Sequence, residues 1–242
     1  MEKSILDVLI EKNEFPVIFI GSGISKRYLT GYPSWEELLE ELWNKTKKNN
    51  FFGHLNKIRE RFKQEGITDD GELDFLVNTS VATEVEARVN EKFYDEKIEI
   101  EGLTQKEAYK DSISPFKKLL ANRFSKYEIR ENYNNESSEF KNMLMKAQII
   151  LTTNYDTFIE DEYNSQSKYG IKKYIGQQGF LKQTVGYAEL YKIHGCTTEA
   201  SSIIINDKDY KRFDKDSILI SAKIISMLLH SPIIFLGYSL TD

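Results

Sequence analysis

Four short polar motifs follow apolar runs along the chain, and their residue types could bind phosphate and sugar groups. The first motif is Gly21–Ser25, which comes directly after the apolar run Phe15–Ile20. Glycines let a backbone turn tightly and approach a ligand closely, and free N–H groups in such a turn can bind a phosphate. An ordinary strand-to-helix turn explains the same pattern. The full dinucleotide fingerprint is absent, because its third glycine would fall at Lys26.

The second motif, Leu151–Asp156, places two polar side chains at the end of a short apolar run. Asn154 offers both a hydrogen-bond donor and an acceptor, and Asp156 accepts hydrogen bonds, so both suit the hydroxyl groups of a ribose. A structural alternative is that Asp156 or Thr153 caps a helix over residues 155–162. The motif alone leaves both interpretations open.

The third motif, Tyr191–Cys196, contains a histidine at the end of a predicted strand. His194, followed by Gly195, could act as a general base, because an imidazole titrates near neutral pH. A lone histidine is more often a structural residue, so the motif by itself does not assign the role. His54 and His230 have no comparable setting.

The fourth motif, Phe235–Leu240, repeats the order of strand, glycine and small hydroxyl residue at Gly237 and Ser239. An ordinary turn explains this motif as well. Four such motifs are harder to explain as turns than any single one, because the carboxyl ends of parallel strands meet at one edge of a sheet. Together they would supply phosphate-binding backbone, ribose-binding polar groups and one titratable base.

The elements that must position these motifs are predicted to form one α/β domain over residues 1–242. Short apolar runs alternate with helical spacing, which favours a doubly wound, largely parallel Rossmann-like sheet. Residues from about 52 to 146 show helical spacing without strand patterns, so they are predicted as an inserted helical lobe. The sheet parts are then about 14–50 and 147–242, and a helix is predicted over Ser4–Asn13. The predicted strands are Phe15–Ile20, Gln148–Thr152, Ile171–Ile175, Leu190–Ile193, Ser202–Ile205 and Pro232–Leu236.

Composition excludes several classes of protein. The formal net charge of −5 gives no electrostatic case for binding nucleic acid or an anionic membrane. The single cysteine, Cys196, excludes an internal disulfide and a multi-cysteine zinc site. The N-terminus lacks the features of a signal peptide and the apolar runs are too short to span a bilayer, so a cytoplasmic location is predicted.

Taken in order, the four motifs and the segment Gly31–Trp35 resemble the motifs of sirtuins. They are most similar to bacterial defence-associated sirtuin-like proteins, which deplete NAD during phage infection. The resemblance implies an NAD site in which His194 acts on a ribose hydroxyl or on the attacking water. The other implied contacts are Gly21, Ser22, Gly23 and Ser25 with the phosphates and neighbouring ribose, Asn154 and Asp156 with the nicotinamide-side ribose, and Gly237 and Ser239 with the adenosine side.

Departures from sirtuins favour hydrolysis of NAD over protein deacylation. Protein-deacetylating sirtuins carry a four-cysteine zinc ribbon after the histidine motif, whereas Cys196 stands alone here. They also have an aspartate–phenylalanine–arginine run where this chain has Ser34–Glu36, and a glutamine at the position of Thr153. The chain is therefore expected to be an NAD+ hydrolase that cleaves the nicotinamide–ribose bond, with NAD as its substrate and no zinc.

Three alternatives stay open at this level. An NAD-dependent protein deacylase would share the pocket, and a sensing module would bind NAD or ADP-ribose without turnover. A redox enzyme is disfavoured, because the third glycine and the usual acidic ribose partner are missing. The resemblance also implies an effector role in anti-phage defence by abortive infection. Because family members usually continue past the position of Asp242, truncation at the C-terminus is expected, with a homo-oligomer or a C-terminal sensor domain as partner.

Overall fold

A computed structural model of the chain describes residues 11, 15–46, 50–176, 179, 188–216 and 218–239. The helix predicted over Ser4–Asn13 lies outside the described residues apart from Glu11, and Asp242 also lies outside them. The chain divides into two compact units. The first unit comprises residues 1–30, 128–196 and 216–238, and the second comprises residues 31–127, 197–215 and 239–242.

A parallel sheet forms the centre of the first unit. Its strands are β1 (Val17–Ile20), β2 (Ile149–Thr152), β3 (Lys172–Ile175), β4 (Glu189–Lys192) and β5 (Ile233–Leu236). Their order is β3-β4-β2-β1-β5, and every neighbouring pair is parallel. The predicted α/β fold with a Rossmann-like sheet is therefore confirmed.

Helices alternate with these strands along the chain, as expected for such a fold. The first unit contains the first, seventh, eighth and tenth helices, and the second unit contains the others. The helices of the described residues are α1 (Ser22–Tyr28), α2 (Trp35–Lys45), α3 (Phe51–Gln64), α4 (Asp70–Tyr94), α5 (Gln105–Lys110), α6 (Pro115–Ser125), α7 (Asn134–Leu144), α8 (Phe158–Gln166), α9 (Asp207–Asp216) and α10 (Ile218–His230).

The register of the sheet aligns the ends of four neighbouring strands. Ile20, the last residue of β1, pairs with Thr152 of β2 and with Leu236 of β5. Thr152 in turn pairs with Lys192, the last residue of β4. All four residues of β1 are apolar and buried, as expected for a strand covered on both faces. The loops that follow these four strands therefore begin at the same edge of the sheet.

The second unit is helical in its described residues, and local sequence signals define its elements. Ser34 caps α2 in a capping box with Glu37. Along α4 the buried residues recur every four positions, which gives one apolar face. The prediction placed the helical lobe at about 52–146, whereas α7 belongs to the unit that contains the sheet. The buried positions of this repeat are Leu73, Val77, Val81, Val85 and Val89.

Two local predictions in the second unit are wrong. The segment Ser202–Ile205 is not a strand: a 3-10 turn covers Ala200–Ser202, and Ile203 and Ile205 are buried in loop backbone. A short β-branched run indicates burial, but it does not distinguish a strand from a buried loop. Helix α9 was missed because its sequence is almost entirely charged, so the apolar spacing that marks a helix is too weak to recognise.

Candidate functional site

The four motifs of the sequence follow four adjacent strands of the sheet. In the order β3-β4-β2-β1-β5, the strands that precede the motifs are β4, β2, β1 and β5, and β3 lies outside this group. Because these strands are parallel and end in register, their loops share one edge. The predicted convergence of the motifs on one edge of the sheet therefore holds.

The turns after β1 and β5 pack directly against each other. The N–H of Gly21 donates to the carbonyl of Leu236 at 2.9 Å, and the N–H of Gly23 donates to the carbonyl of Gly237 at 2.8 Å. A Cβ atom at Gly21 would lie 2.5 Å from the carbonyl oxygen of Gly237, and one at Gly23 would lie 2.7 Å from it. Gly237 itself has a φ of +59°, which favours glycine. The protein's own backbone thus fills the space beside these glycines, which the motif alone did not indicate.

A buried hydrogen-bond network joins the turn after β1 to the loop after β2. The side-chain amide of Asn154 donates to the carbonyl of Gly21 at 3.1 Å and to the hydroxyl of Ser25 at 2.9 Å. The hydroxyl of Ser25 donates to Oδ2 of Asp156 at 2.9 Å. None of the three side chains belongs to a residue more than 3% exposed. Ser25 therefore orients both of the residues that the sequence predicts for ribose binding.

The two carboxylate oxygens of Asp156 accept hydrogen bonds from different parts of the chain. Its Oδ1 accepts a hydrogen bond at 3.0 Å from the N–H of Phe158, the first residue of α8, so the carboxylate satisfies one free N–H of that helix end, although the cap position itself is Thr157. Its Oδ2 accepts from Ser25. The helix begins at Phe158, three residues later than predicted. A carboxylate has about four lone-pair positions, so these two bonds leave it able to accept more.

The carbonyl oxygen of the Asn154 side chain has no hydrogen-bond partner among the described residues, although the atom is buried. The amide cannot turn to satisfy this oxygen without breaking its two donated bonds. An unpartnered buried polar atom costs about 1–3 kcal/mol, and native proteins rarely leave one without a reason. A hydroxyl group of a bound ligand is a donor that matches this oxygen.

His194 lies two residues beyond β4 and is 8% exposed. Burial penalises the imidazolium and lowers the pKa of His194 to about 4. The imidazole is therefore neutral at physiological pH and able to accept a proton. The preceding residue, Ile193, donates its N–H to the carbonyl of Thr152 at 2.8 Å, which ties this turn to the end of β2.

A buried charged cluster beside these loops was missed by the sequence analysis. Lys192 is fully buried; its Nζ donates to the backbone carbonyl of Asp156 and lies 3.3 Å from Oε2 of Glu160. Glu160, in the first turn of α8, also pairs with Lys173 of β3 at 3.1 Å. A lysine within the otherwise apolar run 190–193 is the signal that could have indicated this cluster.

The predicted contacts Ser22 and Ser239 are exposed, whereas Ser25 is buried. Ser22 is the exposed first residue of α1. Ser239 is also exposed, follows Gly237 by two positions, and belongs to a segment that groups with the second unit. The roles proposed for these hydroxyl groups stay predictions.

Metal-binding and membrane-spanning features were searched for in the described part of the chain. There, no group of three or more His, Cys, Asp or Glu side chains is placed to hold a metal ion. No helix of that same part combines the length and the apolar character needed to cross a bilayer. That the protein needs no zinc stays a prediction, which metal analysis can test.

Sheet order and loop network together define an α/β protein with a Rossmann-like sheet, whose polar loops gather at the carboxyl ends of neighbouring strands. Residues 148–242 match the family model of the SIR2-like domain. This part of the chain is therefore similar to SIR2-like domains, which agrees with the sirtuin-like resemblance of the motifs.

Two curated relatives share part of this sequence. An NAD(+) hydrolase ThsA of Enterococcus faecium is 32% identical over 126 residues, which cover 51% of this chain and 25% of that protein. An NAD(+) hydrolase ThsA of Cytobacillus dafuensis is 30% identical over 117 residues, which cover 46% of this chain and 24% of that protein. The chain thus spans about a quarter of the length of these relatives.

Proposed function

We propose that this protein is an NAD+ hydrolase that cleaves the bond between nicotinamide and ribose. The observation that carries the proposal is the buried, unpartnered Oδ1 of Asn154, which a ribose hydroxyl would satisfy. The neutral imidazole of His194 follows a neighbouring strand of the same edge. Both relatives bear the name NAD(+) hydrolase, which supports the same substrate for this chain.

The reaction breaks one bond and forms another at C1′ of the ribose. The bonding electron pair passes to the pyridinium nitrogen, so nicotinamide leaves as a neutral molecule and needs no general acid. Positive charge develops on the ribose in a transition state that resembles an oxocarbenium ion. A water oxygen bonds to C1′ and gives its proton to a base. The products are nicotinamide, ADP-ribose and a proton.

The buried network supplies the positioning for this step. Asn154 accepts a hydrogen bond from a ribose hydroxyl through Oδ1 and so fixes the sugar relative to the protein. Asp156 contributes its remaining lone pairs to the ribose and its negative charge to the developing cation. Ser25 holds both side chains in place. His194, in its neutral form, accepts the proton of the attacking water.

The remaining predicted contacts belong to the same proposal. The phosphates are proposed to lie at the turn that contains Gly21, Ser22 and Gly23, and the adenosine side at Gly237 and Ser239. The N–H of Gly23 already donates to Gly237, so the exposed hydroxyl of Ser22 is the better phosphate donor. The contact between the two turns would hold this part of the site closed and rigid.

Nicotinamide release from NAD tests the proposal. The purified chain should release nicotinamide and ADP-ribose in equal amounts, measured by chromatography. Asn154→Ala and His194→Ala should lose turnover, by about 10²- to 10⁴-fold for the general base. Both variants should still fold, although Asn154→Ala loses two buried hydrogen bonds and should be less stable by about 1–3 kcal/mol. His54→Ala is the matched control, because His54 belongs to the second unit, and it should keep turnover.

Three outcomes decide between the assignments. If His194→Ala keeps the turnover of the wild type, the histidine is structural and the mechanism is wrong. If Asn154→Ala and His194→Ala both unfold, the network is only structural and the site assignment fails. If the wild-type chain binds NAD but releases no nicotinamide, hydrolysis is excluded.

A module that senses NAD or ADP-ribose without turnover is the second candidate, and one observation favours it. A base is most effective when its pKa lies near the working pH, whereas burial lowers the pKa of His194 to about 4. Tight binding of ADP-ribose by a wild-type chain that releases no nicotinamide would establish this function. Deacetylation of an acetyl-lysine peptide in the presence of NAD would instead establish the deacylase alternative.

As an extension of the hydrolase proposal, the chain would be the NAD-depleting effector of a bacterial anti-phage defence system, acting in the cytoplasm. The resemblance of the five motifs supports this role. Cells that express the wild-type chain should lose NAD after phage infection, and cells that express Asn154→Ala should not. Unchanged NAD in infected wild-type cells would contradict the proposal that this chain depletes NAD in response to phage.

A further inference from the structure

Lys192 links two of the loops that contain the proposed site residues, at the edge of the sheet where the strands end. It is the last residue of β4 and is fully buried, and its Nζ donates to the backbone carbonyl of Asp156. Asp156 lies in the loop after β2, two positions beyond Asn154. His194 lies two positions beyond Lys192 itself. One side chain therefore connects the loop that contains the ribose-binding residues to the turn that contains the base.

Glu160 holds the ammonium group of Lys192 in place. Its two carboxylate oxygens lie 3.3 Å and 3.4 Å from Nζ of Lys192, and the residue is 6% exposed. Glu160 also accepts from Lys173, whose side chain is 24% exposed, at 3.1 Å. Burial lowers the pKa of Lys173, but attraction to Glu160 and Cys196 outweighs this effect and raises it. Two lysines thus lie beside the carboxylate of Glu160, and Lys192 is the one that donates to the backbone carbonyl of Asp156.

Stability alone does not explain a fully buried lysine at this position. Burying an ion pair removes the hydration of both charges, and apolar residues of similar size are often at least as stabilising. Methionine is close to lysine in length, so it could fill this buried position with little loss of packing. The bond to the carbonyl of Asp156 is what an apolar side chain could not replace. One hydrogen bond to a backbone carbonyl in such a short loop fixes the course of the chain there.

We propose that Lys192 is a positioning residue, which fixes the loop of Asn154 and Asp156 relative to His194 through the carbonyl of Asp156. The inference rests on the proposed hydrolase function for its effect on turnover. Its effect on the order of the loop does not depend on that function. Neither residue of the Lys192–Glu160 pair needs to touch NAD for this role.

The experiment compares Lys192→Met with Lys173→Met in the full chain. Each variant removes one lysine from Glu160 and leaves the other to compensate the carboxylate, so the two are matched in charge. Amide hydrogen exchange of residues 153–158, measured by mass spectrometry without ligand, should be about tenfold faster or more in Lys192→Met. It should stay within about twofold of wild type in Lys173→Met. The turnover of folded protein should fall by about tenfold or more only in Lys192→Met, with a smaller change in KM.

A second variant covers the case in which Lys192→Met does not fold. Lys192→Met combined with Glu160→Met removes both members of the fully buried pair, and the ammonium of Lys173, whose side chain is 24% exposed, can turn to solvent. It should fold and show the same fast exchange and slow turnover. Wild-type exchange at residues 153–158 in whichever of these variants folds would overturn the inference. A wild-type chain that releases no nicotinamide would overturn the hydrolase proposal alone, because the exchange measurement still decides whether Lys192 orders the loop.

Discussion

His194 is expected to make the protein lose stability in mild acid. The residue is 8% exposed, and burial lowers the pKa of its imidazole from the ordinary 6.5 to about 4. In the unfolded chain the imidazole is hydrated again, and its pKa returns to about 6.5. Between these two values the unfolded state binds a proton that the folded state does not, so lowering the pH favours unfolding. The stabilisation is present above pH 6.5 and is lost as the pH falls toward 4.

The size of the effect follows from the difference between the two pKa values. Each pKa unit corresponds to about 1.4 kcal/mol. The free energy of unfolding should therefore fall by about 3 kcal/mol between pH 7 and pH 4, with about 2 kcal/mol of this loss already present at pH 5. Domains are typically stable by about 5–15 kcal/mol, so a loss of this size is measurable.

Urea unfolding followed by fluorescence at several pH values measures this loss. The comparison is between the wild type and His194→Gln, which keeps a polar side chain that does not titrate. Because other groups also titrate in this range, the informative quantity is the difference between the two proteins. That difference should shift by about 3 kcal/mol in favour of the variant between pH 7 and pH 4. The control Ile193→Val, at the neighbouring buried position, should cost about 1 kcal/mol at every pH.

A difference that stays constant between pH 7 and pH 4 would refute the reasoning. It would mean that the imidazole keeps an ordinary pKa in the folded protein, so that burial does not exclude the charged form. The fall of kcat/KM at acid pH gives a second measurement of the pKa of the His194 imidazole. It should lie near the lowered pKa of about 4 and not near 6.5.

Three further predictions concern the glycine turn, the network and metal content. Gly21→Ala should lower the free energy of unfolding by about 1–3 kcal/mol, because the added Cβ would lie 2.5 Å from the carbonyl oxygen of Gly237. Ser25→Ala should cost about 1–3 kcal/mol in urea unfolding and reduce turnover, because Asp156 and Asn154 lose a buried partner. Metal analysis of protein purified without an affinity tag should find no stoichiometric zinc.

The controls for these predictions lie in the same segment of the chain. Ser22→Ala changes an exposed residue between the two glycines and should alter the free energy of unfolding by no more than about 0.5 kcal/mol. Wild-type stability of Gly21→Ala would mean that the turns after β1 and β5 are not in contact in solution. Unchanged stability and turnover in Ser25→Ala would remove Ser25 from the site, and one zinc per chain would contradict the prediction of a metal-free protein.

The strands of the sheet were predictable because burial leaves a direct mark on sequence. A strand covered on both faces is apolar throughout, and the run that became β1 was located to within two residues. Apolar runs also located β2 and β5, although β5 is only partly buried. The runs that became β3 and β4 were located as well, although both strands include charged residues. Polar residues directly after such runs then indicated Asn154, Asp156 and His194 as candidates, because loops at the carboxyl ends of parallel strands form binding sites.

The contacts within the site could not be predicted, because they depend on the order of the strands. The sequence does not state that β4 lies between β3 and β2, which is what brings Lys192 to the carbonyl of Asp156. It also does not show that Ser25, predicted to contact the ligand, donates to Asp156. Such bonds join positions that are far apart in the chain, and local pattern carries no information about them.

The contact between Gly23 and Gly237 limits when the edge of the sheet that carries the four motifs can form during synthesis. Chains fold as they leave the ribosome, beginning with the N-terminal part. The turn after β1 is made early, but its backbone partner belongs to β5, which is synthesised after every other strand of the described sheet. Contacts between such distant positions form slowly, because a long loop must close first. A nascent chain therefore cannot complete this edge before β5 emerges, so a binding site built on these loops would form only after the last strand of the described sheet has been made.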